Sequence, residues 1–452
     1  MAATYGLPRF RALSRQKSLI KKVLYRIRLL TLFAALGGVG LHAWAADYSF
    51  SGYGTLGYAK SDKPFGYQRF IDDDGTLKRD TVFGAQLDAR FENQIGATVQ
   101  VKAAPSLSSD NKYDATVAWA FLSYRPSNDW LLRAGKLRIP LYLNSETTDI
   151  GATFDFARLP TEMYSISPTT DLNGASFRKN WTLDLGELAL DGFWGRANIE
   201  QRSFFRESFS NNGVVTPRGP TFEPIKIKAS GFALTLRRDE GSYRLGFNQA
   251  IARRANGRPI TDRVFFQPLD ARFPGVGFYL LEGPNVPVTA STNNIAITLG
   301  ADVSVGAGVR LVGEFARRIV HSDIGPDSSG GYLSVLKRIS NWTVYGTYAH
   351  LRSTSGPLNN YVKVNENRVP EFIPGSKDIN ASQRAAAGVI QAFDQNSWAM
   401  GTSYALTNTS KIKAELQRVH VGQVSFMVDA LAGTNVRQQS FNVYSFSYSF
   451  AF

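Results

Sequence analysis

The residues that could support catalysis or metal binding are few and widely spaced. The four histidines show no spacing typical of a zinc site; they are His42, His321, His350 and His420. The run Asp72-Asp73-Asp74-Gly75 could bind Ca²⁺, but it lacks the ligand spacing and distal Glu of an EF-hand loop, which favours a solvated acidic turn. Neither a Gly-x-Ser-x-Gly elbow nor a P-loop occurs. The absence of cysteine excludes disulfides, Cys-ligated zinc, iron–sulfur clusters and cysteine nucleophiles. We therefore expect no catalytic set, no metal site and no cofactor.

The N-terminal segment accounts for more than half of the net positive charge. The 452-residue chain has a net charge of +14, and residues 1–28 contain eight Lys or Arg and no acid. An apolar run over 29–41 and the segment Ala43-Trp44-Ala45 follow, as in a secretory signal peptide. The alternatives are an amphipathic N-terminal helix and a membrane anchor, but for an anchor the run is shorter than the roughly 20 residues that span a bilayer. The sequence predicts a signal peptide over 1–45 and one mature domain over 46–452. With only the smaller remaining charge on that domain, a nucleic-acid partner is not expected.

The mature chain alternates apolar and polar residues with a period of two. Ile95, Val99 and Val101 are apolar, whereas their neighbours Gln94 and Gln100 are polar. A soluble β-sandwich alternates in the same way, so this pattern alone predicts strands but not their surroundings. Stretches of about ten such residues match a tilted membrane-spanning strand.

The C-terminus carries a more specific pattern, an aromatic residue at every second position. These residues are Tyr444, Phe446, Tyr448, Phe450 and Phe452, with Ser445, Ser447, Ser449 and Ala451 between them. Facing lipid, such a strand forms the outer wall of a barrel. An alternating aromatic strand that ends on Phe resembles the assembly signal of Gram-negative outer-membrane barrels. The resemblance implies that Tyr448, Phe450 and Phe452 are read by the barrel-assembly machinery.

Strand arithmetic predicts a barrel of sixteen strands. The candidates are 47–59, 81–92, 94–103, 115–125, 129–139, 172–179, 185–196, 226–238, 242–253, 293–303, 305–317, 331–339, 342–352, 396–407, 410–420 and 439–452. Short and long connections alternate, as between periplasmic turns and external loops of antiparallel outer-membrane barrels. Sixteen strands are wide enough for an aqueous channel. Charged residues are expected on the interior face: Arg90, Lys102, Arg133, Arg178, Lys226, Lys228, Arg244, Arg310, Glu314, Lys413 and Glu415.

This all-β transmembrane up-and-down barrel resembles the trimeric general porins and their substrate-selective relatives over residues 47–452. The resemblance implies that the third external loop, within 135–171, folds into the lumen and narrows it. It also implies that acids on this loop face a basic wall formed by Arg90, Lys102 and Arg133. The loop residues expected at the constriction are Glu146, Asp149, Asp155, Arg158 and Glu162. The loop lacks the Pro-Glu-Phe-Gly-Gly type of motif of enterobacterial porins.

The predicted function is passive diffusion of small hydrophilic solutes and ions, with a mild preference for anions because of the basic wall. A substrate-specific channel with an internal binding site is the alternative, followed by a barrel adhesin or receptor and by an outer-membrane enzyme. Outer-membrane lipid and lipopolysaccharide are expected partners, the latter through outer-loop arginines such as Arg253 and Arg254. A homotrimer is implied by the family resemblance alone.

Overall fold

The computed structural model describes residues 46–167, 169–211 and 214–452, so the predicted signal peptide lies outside the described residues. One compact unit comprises Tyr48–Arg90 and Gln94–Phe452. The remaining described residues include the turn Phe91–Asn93, in which Asn93 has a φ of 64°, a left-handed conformation that Asn tolerates.

Sixteen antiparallel strands of the described chain close into one barrel. They are β1 Asp47–Ser61, β2 Val82–Arg90, β3 Ile95–Pro105, β4 Tyr113–Ser127, β5 Trp130–Arg138, β6 Asp171–Leu183, β7 Gly186–Phe205, β8 Gly219–Arg238, β9 Gly241–Arg254, β10 Thr292–Gly306, β11 Val309–Val320, β12 Ser328–Ile339, β13 Trp342–Ser353, β14 Phe393–Thr407, β15 Ser410–Ser425 and β16 Gln439–Ala451. The predicted strand number and the all-β barrel are confirmed.

The last strand joins the first. β16 pairs with β1 in a register that runs from Tyr53 opposite Ala451 to Ser61 opposite Val443. Closure pairs the backbone groups of both edge strands, which a hydrocarbon environment requires because it offers them no water. The barrel therefore has the hydrogen bonding of a membrane-spanning sheet.

Two strands extend well beyond their predicted ends. β7 and β8 are each 20 residues long, and their pairing continues from Ile199 opposite Ile225 to Phe205 opposite Gly219. The expected long loop over 197–225 is thus largely a hairpin. Backbone pairing does not require an apolar face, so it continues beyond the stretch from which the strands were predicted.

Short helices and small sheets lie in the connections. The helices are α1 Thr161–Tyr164, α2 Ser355–Glu366 and α3 Ser376–Ala387. Strand pairs form four two-stranded sheets: Gly66–Tyr67 with Val428–Asp429, Phe209–Asn211 with Val214–Thr216, Ile260–Thr261 with Val288–Thr289, and Phe265–Pro268 with Gly277–Leu280. Among the described residues, every helix is too short or too polar to cross a membrane.

The two faces of β16 show how the wall is divided. Tyr444 and Phe446 are 51% and 53% exposed on the outer face, whereas Ser447 and Ser449 are buried on the inner face. Ser449 is buried because the segment between β5 and β6 reaches it: a Cβ added to Gly151 would lie 2.4 Å from its Oγ. The largest apolar core accordingly lies inside the barrel, between that segment and the wall.

Candidate channel constriction

Residues 139–167, in the connection from β5 to β6, fold into the lumen as the resemblance implied. Ile139, Leu141, Phe156 and Met163 of this third loop are buried in one apolar cluster. Inward-facing wall residues complete the cluster; they include Phe193, Ile225, Ile227, Val312, Tyr332 and Tyr345. Burial removes these apolar side chains from water on this side of the lumen. The resulting hydrophobic stabilisation holds the loop inside the barrel.

Asp149 joins the loop to two basic wall residues. Its carboxylate lies 2.8 Å from Lys102 Nζ and 2.7 Å from a guanidinium nitrogen of Arg138. Burial acts to raise the pKa of Asp149, but the charges of Lys102 and Arg138 outweigh it and hold the pKa at about 2. Arg138 was not expected at the constriction, because it ends β5 and its direction depends on the turn into the loop.

Glu146 is the most exposed of the loop acids. Its carboxylate lies 3.6 Å from Arg133 and 3.9 Å from Arg178, and its side chain is 38% exposed. Arg178 also donates a 2.7 Å hydrogen bond to Asp191 on β7. These side chains form a partly exposed charged surface between the loop and β5–β7.

Asp155 contacts the opposite wall. Lys411 on β15 donates a 2.8 Å hydrogen bond to it, Ser403 on β14 donates another of 3.0 Å, and Arg310 on β11 lies 3.6 Å away. Burial acts to raise the pKa of Asp155, whereas the hydrogen bond and charge of Lys411 lower it more strongly. The loop is therefore linked by ion pairs to both sides of the barrel.

Arg158 and Glu162 are buried and connect the loop to its surroundings. Arg158 forms an ion pair with Asp80, near the end of the connection between β1 and β2, and donates a 3.3 Å hydrogen bond to Ser445. Glu162 in α1 has no exposed surface and accepts hydrogen bonds from Ser397 at 2.8 Å and Gln395 at 3.0 Å. Neither side chain faces open lumen.

Several strand residues bind the backbone of the loop. Lys413 donates to the carbonyls of Gly151 at 2.6 Å and Phe156 at 2.9 Å. Glu314 accepts from Leu143 N at 2.8 Å and from the Tyr164 hydroxyl at 2.6 Å. Lys413 and Glu314 were expected on the interior face, but their binding to the loop backbone was not predicted. A contact with a backbone group does not require a particular residue type at the partner position, so the sequence carries no sign of it.

Arg90 lies apart from the loop. It ends β2 opposite Gly96, six residues from Gly84, which pairs with Lys102. Six strand residues span about 20 Å, and none of the contacts recorded among the described residues joins Arg90 to the loop. The structure thus brings Lys102 and Arg133 to the third loop and leaves Arg90 near the end of the barrel that carries the short turns.

Lys226 and Lys228 lie on the outer face of β8, contrary to expectation. Their alternating neighbours Ile225, Ile227 and Ala229 are buried in the interior core. The expectation assumed that charged residues always face a wet lumen. Here the third loop makes this part of the lumen apolar, so the alternation is reversed.

No three His, Asp or Glu residues of the described chain are grouped so that they could hold a metal ion. Asp72 Oδ1 instead accepts backbone hydrogen bonds from Asp74 at 3.2 Å and Gly75 at 3.3 Å. This geometry is that of an acidic turn.

Comparison with solved structures gives the class of fold. The barrel of OprB from Pseudomonas putida matches with a TM-score of 0.51 and 10% identity over 90% of this chain and 94% of that one. An anion-selective porin from Comamonas acidovorans matches with a TM-score of 0.49 and 12% identity, covering 90% of this chain and all of that one. OmpT of Vibrio cholerae, in its trimer form, matches with a TM-score of 0.49 and 10% identity over the same shares.

The OprB match and the closed barrel of sixteen strands define the class of fold: the chain has the β-barrel fold of outer-membrane porins. No protein-family model matches the sequence, and no curated protein matches it.

Proposed function

We propose that this protein is a Gram-negative outer-membrane porin through which small hydrophilic solutes and ions diffuse passively. The observation that carries the proposal is the third loop, which lies inside the closed barrel and places Glu146 beside Arg133 and Arg178. Fixed charges of this kind at a narrow point select solutes by charge and size without a chemical step. The long loops would face the exterior and both termini the periplasm.

Single-channel recording in planar bilayers tests the channel. The purified, folded protein should insert with discrete conductance steps in KCl, and the same preparation unfolded by heat serves as the control. A folded protein that conducts no ions would contradict the proposal and favour the adhesin or receptor alternative.

We also propose a mild anion preference, which rests on the basic residues of the wall. Arg90 has no contact with the loop, so its charge is not compensated there. Arg133, in contrast, is 3.6 Å from the acidic Glu146. Because most charges at the loop are paired in this way, the anion preference is expected to be small. In a KCl gradient, the reversal potential should show Cl⁻ as the more permeant ion. The variant R90Q/R133Q should lower the Cl⁻/K⁺ permeability ratio at least twofold.

The variant K226Q/K228Q removes the same charge from the outer face and serves as the matched control. It should leave the reversal potential unchanged. Selectivity for K⁺ in the wild type, or an equal effect of both variants, would show that the basic wall does not set ion selectivity.

A substrate-specific channel is the second candidate, and the many fixed contacts of the third loop favour it. A rigid constriction can present an internal binding site, because its side chains are already in place. Flux into liposomes distinguishes the two functions: a binding site produces saturation with solute concentration, whereas free diffusion remains linear. The same proposal includes three further points. Residues 1–45 are a signal peptide for export, and the protein forms a homotrimer. The assembly machinery recognises Tyr448, Phe450 and Phe452.

A further inference from the structure

The long hairpin of β7 and β8 meets a connection from the opposite side of the barrel mouth. β7 and β15 are eight strands apart in a closed barrel of sixteen, so they lie on opposite sides of it. At about 4.8 Å per strand and a tilt of about 40°, such a barrel is about 30 Å across. Arg202 of β7 nevertheless donates a 3.0 Å hydrogen bond to Asp429, in the connection between β15 and β16. The two sides of the mouth are therefore joined above the lumen, at the end of the barrel that carries the long connections.

A third and a fourth segment hold this crossing in place. Arg202 also donates a 2.7 Å hydrogen bond to Asp110, in the connection between β3 and β4. Asp110 accepts another of 3.0 Å from Arg69, in the connection between β1 and β2. Charge-assisted hydrogen bonds of this kind are strong and fix the geometry of their partners. The connections at the mouth thus form one defined structure, which can hold a cavity of fixed shape.

Such a cavity lies beside the crossing and has a volume of about 220 Å³. Its walls come from Arg206 directly after β7, from helix α2, and from the segment that leads from β15 to β16. The cavity is smaller than the roughly 300 Å³ at which pockets for drug-sized ligands begin, so its size suits a small solute. Five uncharged polar side chains line it: Tyr361, Asn365, Gln423, Thr434 and Asn435. We call this cavity the mouth pocket.

Arg206 has no acidic partner among the described residues. It donates hydrogen bonds only to neutral acceptors, which are the Tyr361 hydroxyl at 3.2 Å, Asn365 Oδ1 at 3.1 Å, and the carbonyls of Ala430 at 3.3 Å and Thr434 at 3.4 Å. These four bonds leave one of the five N–H donors of the guanidinium unused. The positive charge of Arg206 is therefore uncompensated at the wall of the mouth pocket.

The acids near Arg206 already have partners of their own. Glu366, which lines the mouth pocket, accepts a 2.9 Å hydrogen bond from Arg437. Glu207, which follows Arg206 in the chain, pairs with Arg384. Because each acid is matched by its own arginine, the surroundings of the pocket keep an excess of positive charge. Such an excess attracts an anionic solute.

Tyr361 supplies a second donor next to Arg206. Its hydroxyl accepts a hydrogen bond from Arg206 and donates to no atom of the described residues. Burial raises the pKa of this hydroxyl, so it keeps its proton at neutral pH. The unused N–H of Arg206 and the O–H of Tyr361 can therefore serve the two oxygens of one carboxylate.

We propose that the mouth pocket captures small hydroxylated monocarboxylates, with the carboxylate bound by Arg206 and Tyr361. The hydroxyl groups of the solute bond the amides of Gln423 and Asn435, because an amide can both donate to and accept from a hydroxyl. One uncompensated cation in a pocket of neutral polar groups selects a single negative charge. The site is formed by the outer connections and is separate from the constriction. It rests on the proposed function, since capture at the mouth serves uptake only if the barrel conducts.

Gluconate binding to the purified, folded protein in detergent tests the site. Isothermal titration calorimetry should show one gluconate bound per wild-type chain, and the Kd should rise at least tenfold in R206Q. Q423E keeps the size of the side chain and all contacts of Arg206 but adds a negative charge to the pocket, so its Kd should also rise at least tenfold. Glucose, which has hydroxyl groups but no carboxylate, should bind the wild type at least tenfold more weakly than gluconate.

R218Q is the matched control. Arg218 is an exposed arginine of the same hairpin and does not line the mouth pocket, so the Kd for gluconate should stay within twofold of the wild-type value. Heat-modifiable mobility shows before each titration that the variant is folded. If R206Q does not fold, Q423E decides the test, because no recorded hydrogen bond involves the Gln423 side chain.

Three results would overturn the proposal. The first is an unchanged Kd for gluconate in folded R206Q or Q423E. The second is an equal loss of affinity in R218Q, which would show a general effect of charge at the mouth. The third is inorganic phosphate or chloride binding as tightly as gluconate, which would show a simple anion site.

The failure of this inference can be distinguished from the failure of the proposed channel. A protein that conducts ions in planar bilayers but does not bind gluconate keeps its channel and loses the capture site. A protein that binds gluconate but conducts no ions loses the channel function instead.

Discussion

Individual side chains decide how firmly the third loop is held at the constriction. Asp149 is the clearest case, because two cations bind one carboxylate while the Arg138 side chain is only 4% exposed. Arg158 with Asp80 is similar, since both side chains are at least nine-tenths buried. Removing one partner of such a pair leaves a charge without compensation in a poorly solvated place.

Substitution of Asp149 has a defined pH dependence. D149N should lower the free energy of unfolding at pH 7 by about 2 kcal/mol, because charged hydrogen bonds to Lys102 and Arg138 are lost. The folded-state pKa is about 2, below the roughly 3.9 of free Asp, so the pair stabilises the fold above pH 4 and loses its effect as the pH falls through 2. Urea unfolding of both proteins should show a constant difference from pH 7 to 4 that disappears near pH 2. A difference that disappears already at pH 5 would contradict the pairing.

Substitution of Arg158 tests the buried anchor. R158Q should destabilise the folded barrel by about 3 kcal/mol, because Asp80 is left charged and buried. In D80N/R158Q neither member of the pair is charged, so part of the loss should be regained, as measured by the same urea titration. If the loss in the free energy of unfolding in D80N/R158Q equals the sum of the losses in D80N and R158Q, the two residues are not coupled.

At the scale of elements, the third loop and the strand wall determine each other. α1 of the loop lies against β12, where a Cβ added to Gly330 would be 2.5 Å from the carbonyl oxygen of Glu162 and 2.9 Å from Ile166. Glycine at this position therefore permits the close approach of the helix to the wall. The same contacts explain why the β8 lysines face outward, since the loop supplies the apolar partners of Ile225 and Ile227.

Alanine at Gly330 should displace α1 toward the lumen. G330A should lower the single-channel conductance and broaden its distribution, because the loop loses its single docked position. G346A in the neighbouring β13 is the matched control, since no atom lies within 4 Å of its added Cβ, and its conductance should equal that of the wild type. Equal conductance in G330A would mean that the wall contact does not position the loop.

In the whole molecule, the C-terminus closes the barrel, and we propose that it is also the assembly signal. The backbone of Phe452 exchanges hydrogen bonds of 2.9 and 3.0 Å with Gly52, and its ring occupies the space beside that glycine. The outward ring is 68% exposed, so it adds little to the core of the folded barrel. An exposed terminal ring is available to a partner during assembly, as the proposed recognition requires.

Phe452 substitution should separate assembly from stability. In F452S the amount of folded protein in the outer membrane should fall several-fold, whereas refolding of the purified chain in detergent should be nearly normal. Y444S removes an exposed ring of the same strand outside the proposed signal and should have a smaller effect in cells. Heat-modifiable mobility in membrane fractions measures both, and equal losses in the two variants would contradict a specific terminal signal.

The class of fold follows from the sequence alone, because period-two alternation and the alternation of short and long connections are local properties. The sixteen predicted strands correspond one by one to β1–β16, and only the ends of elements such as β7 and β8 differ. The alternating aromatics of the last strand were likewise readable, since their outer position follows from the pleat.

Which charges meet, and which face of β8 is interior, depends on the packing of the third loop inside the barrel. Lys411 and Asp80 contact the loop across long sequence separations, and no local pattern encodes those distances. Lys226 and Lys228 alternate as a lumenal strand would, but the side that is buried depends on what fills the lumen. Alternation defines two faces, whereas the chain folded inside the barrel determines which face is apolar.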